Sequence, residues 1–327
     1  MQSNSDRPQL DLGESPWARS ARQVAPLFRW AGGKQRFLWQ HRGLLPDFTG
    51  TYFEPFAGGL SVYFHYVKSS TKPFRAVIGD VNLRLIRCYK EVAEDPEGVS
   101  DRLESLRAGY LSAVDRGAFY YDVREQHNLI SPRTDAARFI FLMAAGWNGV
   151  YRSNQRGQFN VPHGNVKQLK LPTLAHLQAV STVFSLADIR SRSWEATLNT
   201  VRAGDFVFFD PPYVDSDRGD LYERNQLFTP RDQVKLAETL VRLQDRGVDF
   251  LLTNSASRET HEMYSDMGLQ VRVVEALRSV SAQPESRETD AELVVTPNRG
   301  LKGQREQELA TVLRIRRLTR KIGENND

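Results

Sequence analysis

Seven short apolar runs punctuate this chain: Thr51-Tyr52-Phe53, Ala76-Val77-Ile78, Thr182-Val183-Phe184, Phe206 to Phe209, Phe250-Leu251-Leu252, Val271 to Val274 and Leu293-Val294-Val295. Each reads as a strand, and stretches with helical periodicity separate most of them. The clearest helix follows Thr229, an N-cap with Pro230 in the first turn. Its apolar residues Val234, Leu236, Ala237, Leu240, Val241 and Leu243 share one face, and Gly247 marks its end. Strand and helix in alternation predict an α/β fold with a doubly wound, Rossmann-like sheet. Leu85 to about Leu171 breaks the alternation; it reads as mainly helical and then becomes polar and glycine-rich from Gly146 to Gly164. The expected organisation is therefore a disordered tail over 1–25, a first sheet portion over 26–84, an insert over 85–171, a second sheet portion over 172–300 and a basic tail over 301–327. In that last segment Leu309, Val312 and Leu313 suggest a short helix.

The chain has 327 residues, 40% of them hydrophobic, enough for one large α/β core with an inserted subdomain or for two modest domains. No apolar stretch reaches the roughly 18 to 20 residues that span a bilayer, and Met1 to Glu14 lacks the charged-then-apolar order of a secretion signal. A cytoplasmic protein is expected. The single cysteine, Cys88, excludes an intrachain disulfide and a multi-cysteine zinc site, and reads as a packed helix residue. A net charge of +4 permits a polyanionic partner without demanding one, because 40 acidic residues stand against 44 basic ones.

In a doubly wound sheet, ligands lie beyond the carboxyl ends of the strands. Three such ends carry chemistry. Glu54-Pro55-Phe56-Ala57-Gly58-Gly59 follows the first run, and its glycines allow a ligand to approach the backbone. Asp80 follows the second and can accept both hydroxyls of a ribose. Asp210-Pro211-Pro212-Tyr213 follows Phe206 to Phe209. This last set suits methylation of an exocyclic amine, whose lone pair is delocalised into its ring. Attack on a methyl sulfonium requires acceptors for both N–H groups. Asp210 supplies one and the Pro211 carbonyl the other, with Pro212 biasing Pro211 toward extended backbone; Tyr213 offers a face for stacking. Four fixed residues arise by chance in about two of a thousand chains at about 5% usage each, so corroboration must come from the other blocks. Upstream, Phe28-Arg29-Trp30-Ala31-Gly32-Gly33-Lys34 combines aromatics, a turn and a cation able to pair with a carboxylate.

Arg29 to Lys34, Glu54-Pro55-Phe56, Gly79-Asp80-Val81-Asn82, Trp147-Asn148-Gly149, Arg156 to Pro162 and Asp210 to Tyr213 together make the chain resemble the Dam-type DNA adenine methyltransferases of the D12 class, in the block order of the α group. The resemblance spans nearly everything after the tail. It implies an S-adenosylmethionine-dependent methyltransferase with a DNA-recognition insert. It places the cofactor on Trp30, Lys34, Phe56, Gly58, Asp80 and Asp210, with Lys34 suited to the methionine carboxylate and Asp80 to the ribose. The catalytic set is Asp210, Pro211, Pro212 and Tyr213. Leu60 stands where the family's second motif glycine is usual, which puts the pocket's detailed shape in doubt.

An enzyme acting on a base amine inside a duplex must flip that base out, and something must bridge the gap. Within Gly146 to Gly164, Trp147 can stack, Asn148 can bond the orphaned partner and Arg152 can reach a guanine edge. Tyr151 to Val161, with Asn154-Gln155-Arg156-Gly157 at its tip, reads as a β-hairpin. The resemblance places base readers on Arg29, Val150, Arg152 and Pro162, and implies double-stranded DNA, a GATC-like site and a cognate restriction endonuclease as candidate partner. Val214 to Phe228 is expected to be a lid. Methylation of the cytosine exocyclic amine, of RNA or of protein, and a catalytically silent DNA-binding module, remain competing readings at this point.

Overall fold

A computed structural model describes residues 15–129, 136–213, 228–276 and 290–299. The expected lid, save Phe228, and the expected C-terminal helix lie outside them. Seven strands form one sheet: β1 (Tyr52–Glu54), β2 (Ala76–Asp80), β3 (Ala187–Ser191), β4 (Phe206–Phe209), β5 (Asp249–Ser255), β6 (Gln270–Ala276) and β7 (Asp290–Thr296). Their order is β3-β2-β1-β4-β5-β7-β6. The first five are parallel, and β7 runs antiparallel to both its neighbours. The order reverses between β1 and β4, which opens a crevice at their carboxyl ends.

The central strands are apolar at consecutive positions because both faces are covered. Tyr52, Phe206 and Phe208 enter one core with helices α3 (Ser61–Ser69), α4 (Leu83–Glu94) and α8 (Leu174–Phe184), while Phe53, Val207 and Phe209 enter another with α10 (Pro230–Asp245). Side chains alternate faces along a strand, so four apolar residues in succession feed two cores. Helix α10 starts where the sequence indicates: Thr229 and Asp232 form a capping box, and Gly247 takes φ 71° just beyond the helix.

The inserted region builds α5 (Pro96–Ser112), α6 (Arg116–Leu129) and α7 (Ala136–Ala145) after α4. Nearly every residue of α7 is buried, as befits a helix surrounded by others, and its apolar residues join the same core as Tyr52 and Phe206. Cys88 is buried on α4.

Two expectations need correction. Thr182-Val183-Phe184 is not a strand but the last turn of α8, whose N-cap Thr173 lies a full helix upstream and whose Leu177, Val180, Val183 and Phe184 pack inward. The strand of that region is β3, five residues later. Residues 16–23, inside the expected tail, form α1 (Pro16–Gln23), capped by Ser15 and packed on α8 through its buried Trp17 and Ala21. No helix among the described residues is long and apolar enough to cross a membrane.

Candidate active site

The carboxyl ends of β1, β2 and β4 open onto a cavity of about 390 Å³ whose lining includes Trp30, Lys34, Phe56, Gly58, Asp80, Asp210, Pro211, Pro212 and Tyr213. Every residue expected to hold the cofactor or act on the amine thus meets in one place. Two glycines are required here by space. A side-chain carbon at Gly58, where φ is 44°, would sit 3.0 Å from the Trp30 ring, and one at Gly59 would sit 2.9 Å from the Trp30 Cβ. Leu60 then adopts φ 56° as it leads into α3 and is buried. A left-handed leucine costs about 1 to 2 kcal/mol, so the residue that departs from the motif keeps the glycine-like backbone and takes a place in the core.

Asp80 is held by the backbone: Gly58 N–H donates to its Oδ2 at 3.1 Å and Asn82 N–H to its Oδ1 at 2.8 Å. Burial nevertheless raises its pKa above the ordinary carboxylate value, with those backbone bonds opposing. On the cavity wall Phe56 stacks with Trp194 at 6.4 Å and meets Phe228 edge-on at 5.8 Å. Glu54, buried at the end of β1, accepts a bond of 2.6 Å from the Tyr52 hydroxyl. Burial, with Asp210 and Asp80 adding repulsion, pushes its carboxyl well above the usual range.

At the acceptor site, Asp210 Oδ1 receives Lys34 Nζ at 2.8 Å and Thr253 Oγ1 at 2.9 Å. Oδ2 takes no bond among the described residues, which leaves it for a ligand. Lys34 Nζ also reaches Glu292 Oε1 at 3.0 Å and the Gly32 carbonyl at 3.1 Å, and the Tyr213 hydroxyl donates to the same Glu292 oxygen at 2.5 Å. Lys34, expected to face the cofactor's carboxylate, is buried between two carboxylates of its own chain. Burial works against its charge, but Asp210, Tyr213 and Glu292 hold its pKa well above the ordinary lysine value. Asp210 is shifted upward: burial dominates, and Lys34 opposes it only in part.

The expected DNA-facing residues gather at a second place. The Trp147 N–H donates to the Pro162 carbonyl at 2.9 Å, and Gly146 bridges His163. Trp147 is exposed, Asn148 is left-handed at φ 54°, and a side-chain carbon at Gly149 would meet the Arg29 Cβ at 3.1 Å. Arg29, Trp147, Asn148, Val150 and Pro162 are therefore neighbours. A short hairpin follows, with Ser153 bridging Phe159 and Gly157 turning at φ 71°. Arg152 spans it, its Nε donating to Asn160 Oδ1 at 2.8 Å. Trp30 joins the two places, because its ring stacks on Tyr151 at 5.4 Å.

A family model described as D12 class N6 adenine-specific DNA methyltransferase matches residues 30–280. The chain belongs to this family. It is 30% identical to the Type II methyltransferase M1.LlaDCHI of Lactococcus lactis subsp. cremoris, over 84% of this chain and 95% of the relative. Against the Type II methyltransferase M.MjaIII of Methanocaldococcus jannaschii it is 33% identical over 81% of this chain and 96% of the relative. The DNA adenine methylase of Escherichia coli K12 is 30% identical over 81% of this chain and 92% of its own length. Membership makes this an adenine-specific DNA methyltransferase, and the readings as a cytosine, RNA or protein methyltransferase or a silent module fall away.

Sequence reasoning missed Glu292, Thr253 and Trp194. Trp194 opens α9 (Trp194–Thr197) directly after β3, the strand placed wrongly. Glu292 precedes the run Leu293-Val294-Val295, whereas the carboxylates Asp80 and Asp210 follow theirs. Its signal was an acidic residue leading into a buried strand.

Proposed function

We propose that this enzyme transfers the methyl group of S-adenosylmethionine to the exocyclic amine of an adenine flipped from double-stranded DNA, in a GATC-like site, in the cytoplasm. The carrying observation is the Oδ2 of Asp210, unbonded among the described residues, on a cavity lined also by Pro211, Asp80 and the Gly58–Gly59 cradle. The donor set fits the cofactor: a strand-end carboxylate for a ribose, aromatic Phe56, Trp194 and Phe228 for a purine, and a turn in which any side-chain carbon at Gly58 would strike Trp30. When bound, that group supplies an electrophilic methyl on a sulfonium.

The rest is done by the chain. Asp210 Oδ2 and the Pro211 carbonyl accept the two N–H groups of the amine and draw its lone pair out of conjugation. Tyr213 supports the base, its ring fixed by the hydroxyl bond to Glu292. The ionised carboxylate stabilises the positive charge that develops on nitrogen, so no proton leaves before the methyl moves. The insert over 85–171 is the recognition unit, with Arg29, Val150, Arg152 and Pro162 toward base edges and Trp147 and Asn148 at the vacated position. The Type II names of two relatives support a protective role beside a restriction endonuclease of the same site. Incubating the purified protein with tritiated methyl donor and genomic DNA, followed by nucleoside mass spectrometry and methylome sequencing, tests this. N6-methyladenine in one GATC-like context is expected; another context overturns the site, and no methyladenine overturns the roles assigned.

A further inference from the structure

Beyond its bond to the Tyr213 hydroxyl, Glu292 has no part in the chemistry above, yet it is among the few charged residues buried in the described structure. Its position follows from strand direction. Because β7 runs against β5, its first residues arrive at the edge where the parallel strands end, and Glu292 pairs with Ser255, two residues beyond the Thr253 that binds Asp210. One oxygen, Oε1, receives both Lys34 Nζ and the Tyr213 hydroxyl. Lys34 thus stands between Asp210 at 2.8 Å and Glu292 at 3.0 Å, nearly midway. Two carboxylates share one ammonium. With the Glu292 charge removed, the ammonium would be drawn chiefly to Asp210 and compete with the incoming amine for it, and the bond that holds the Tyr213 hydroxyl would lose its charge assistance.

We propose that Glu292 is a positioning residue for methyl transfer, sharing Lys34 with Asp210 so that Asp210 Oδ2 stays available to the target amine, and fixing the Tyr213 ring against which the base is held. The proposal rests on the function proposed above. It concerns the rate of the chemical step and not substrate affinity, because Glu292 lies behind the cavity lining.

The experiment compares wild type, Glu292→Gln, Tyr213→Phe and the double variant in single-turnover methyl transfer, with KM for DNA and methyl donor and melting temperature measured on each. Glutamine keeps length and an oxygen acceptor while removing the charge. Glu292→Gln should slow transfer about ten- to a hundredfold, the range for one lost charge-assisted bond, with either KM moving less than about threefold. Tyr213→Phe should also slow transfer, and the double variant should be much less impaired than the product of the single losses, as for groups acting as one unit. Three results overturn the assignment: transfer by Glu292→Gln within twofold of wild type, a loss confined to KM, or single losses that multiply. Should Glu292→Gln fail to fold, Tyr213→Phe still decides, since an unchanged rate shows that the anchor is unused. Wild-type transfer in the same preparation separates the two readings: without it both fall, and with it only the role of Glu292 is at stake.

Discussion

Asp210→Asn separates chemistry from folding. Asparagine keeps the shape of the side chain and can still accept from Thr253 and Lys34, but it brings no charge to the amine nitrogen as that atom becomes cationic. Removing one preorganised electrostatic group of this kind typically lowers kcat by about 10²- to 10³-fold, or roughly 2.7 to 4 kcal/mol. Stability should move the other way. Burial holds the Asp210 pKa above its ordinary 3.8 despite Lys34. A carboxyl raised on folding contributes stability below its unfolded pKa and loses that contribution as pH rises through the folded value, so at neutral pH the ionised group is a net cost. Lys34 also keeps Glu292 as a partner in the variant. The melting temperature of Asp210→Asn near neutral pH should equal or exceed that of wild type. Wild-type transfer should rise with pH through a midpoint above 3.8, because only the carboxylate acts. Rapid-quench transfer of a tritiated methyl group and scanning fluorimetry on the same samples measure both quantities. A rate within tenfold of wild type, or a melting temperature several degrees lower, would refute the reasoning by making Asp210 dispensable or structural.

Glu54→Gln should raise the melting temperature near pH 8 and leave it unchanged near pH 4, because the buried carboxyl is held well above 4.5 and its ionisation opposes folding only at the higher pH; calorimetry at both values checks this. Gly79→Ala would place a carbon 2.0 Å from Thr197 Oγ1. Overpacking of this kind costs about 1 to 3 kcal/mol and here displaces α9 with Trp194; the denaturation midpoint should fall, and Thr197→Ala in the same chain should restore part of it. DNA affinity should fall with salt at a log–log slope of about −0.9 per phosphate contacted, and Arg156→Ala, at the exposed hairpin tip, should flatten that slope by about one contact in an anisotropy titration. An unchanged slope would remove Arg156 from the DNA surface.

Much of the site was legible because parallel strands end on one edge. Asp80 and Asp210 each stand where such a strand stops, and the consecutive apolar residues of β4 could belong only to a strand or helix buried on both sides. The sheet margin was not legible. Strand β3 is an edge strand with only Ile189 buried, so Ala187-Asp188-Ile189-Arg190-Ser191 carries almost no apolar signal, and the β-branched end of α8 just before it took its place. Glu292 was hidden by the reversed direction of β7, a property of pairing and not of composition. Helix α1 is short, and only Trp17 and Ala21 are buried in it, too few for periodicity to show.

Trp30 is a party wall. One side of its ring closes the glycine turn, where Gly58 and Gly59 leave no room for a side chain, and Tyr151 at the root of the hairpin lies against it in a stack. A shift of that indole reaches both compartments at once. If filling one compartment moves that ring and so tightens the other, reciprocity requires that DNA tighten methyl-donor binding by the same factor by which the donor tightens DNA.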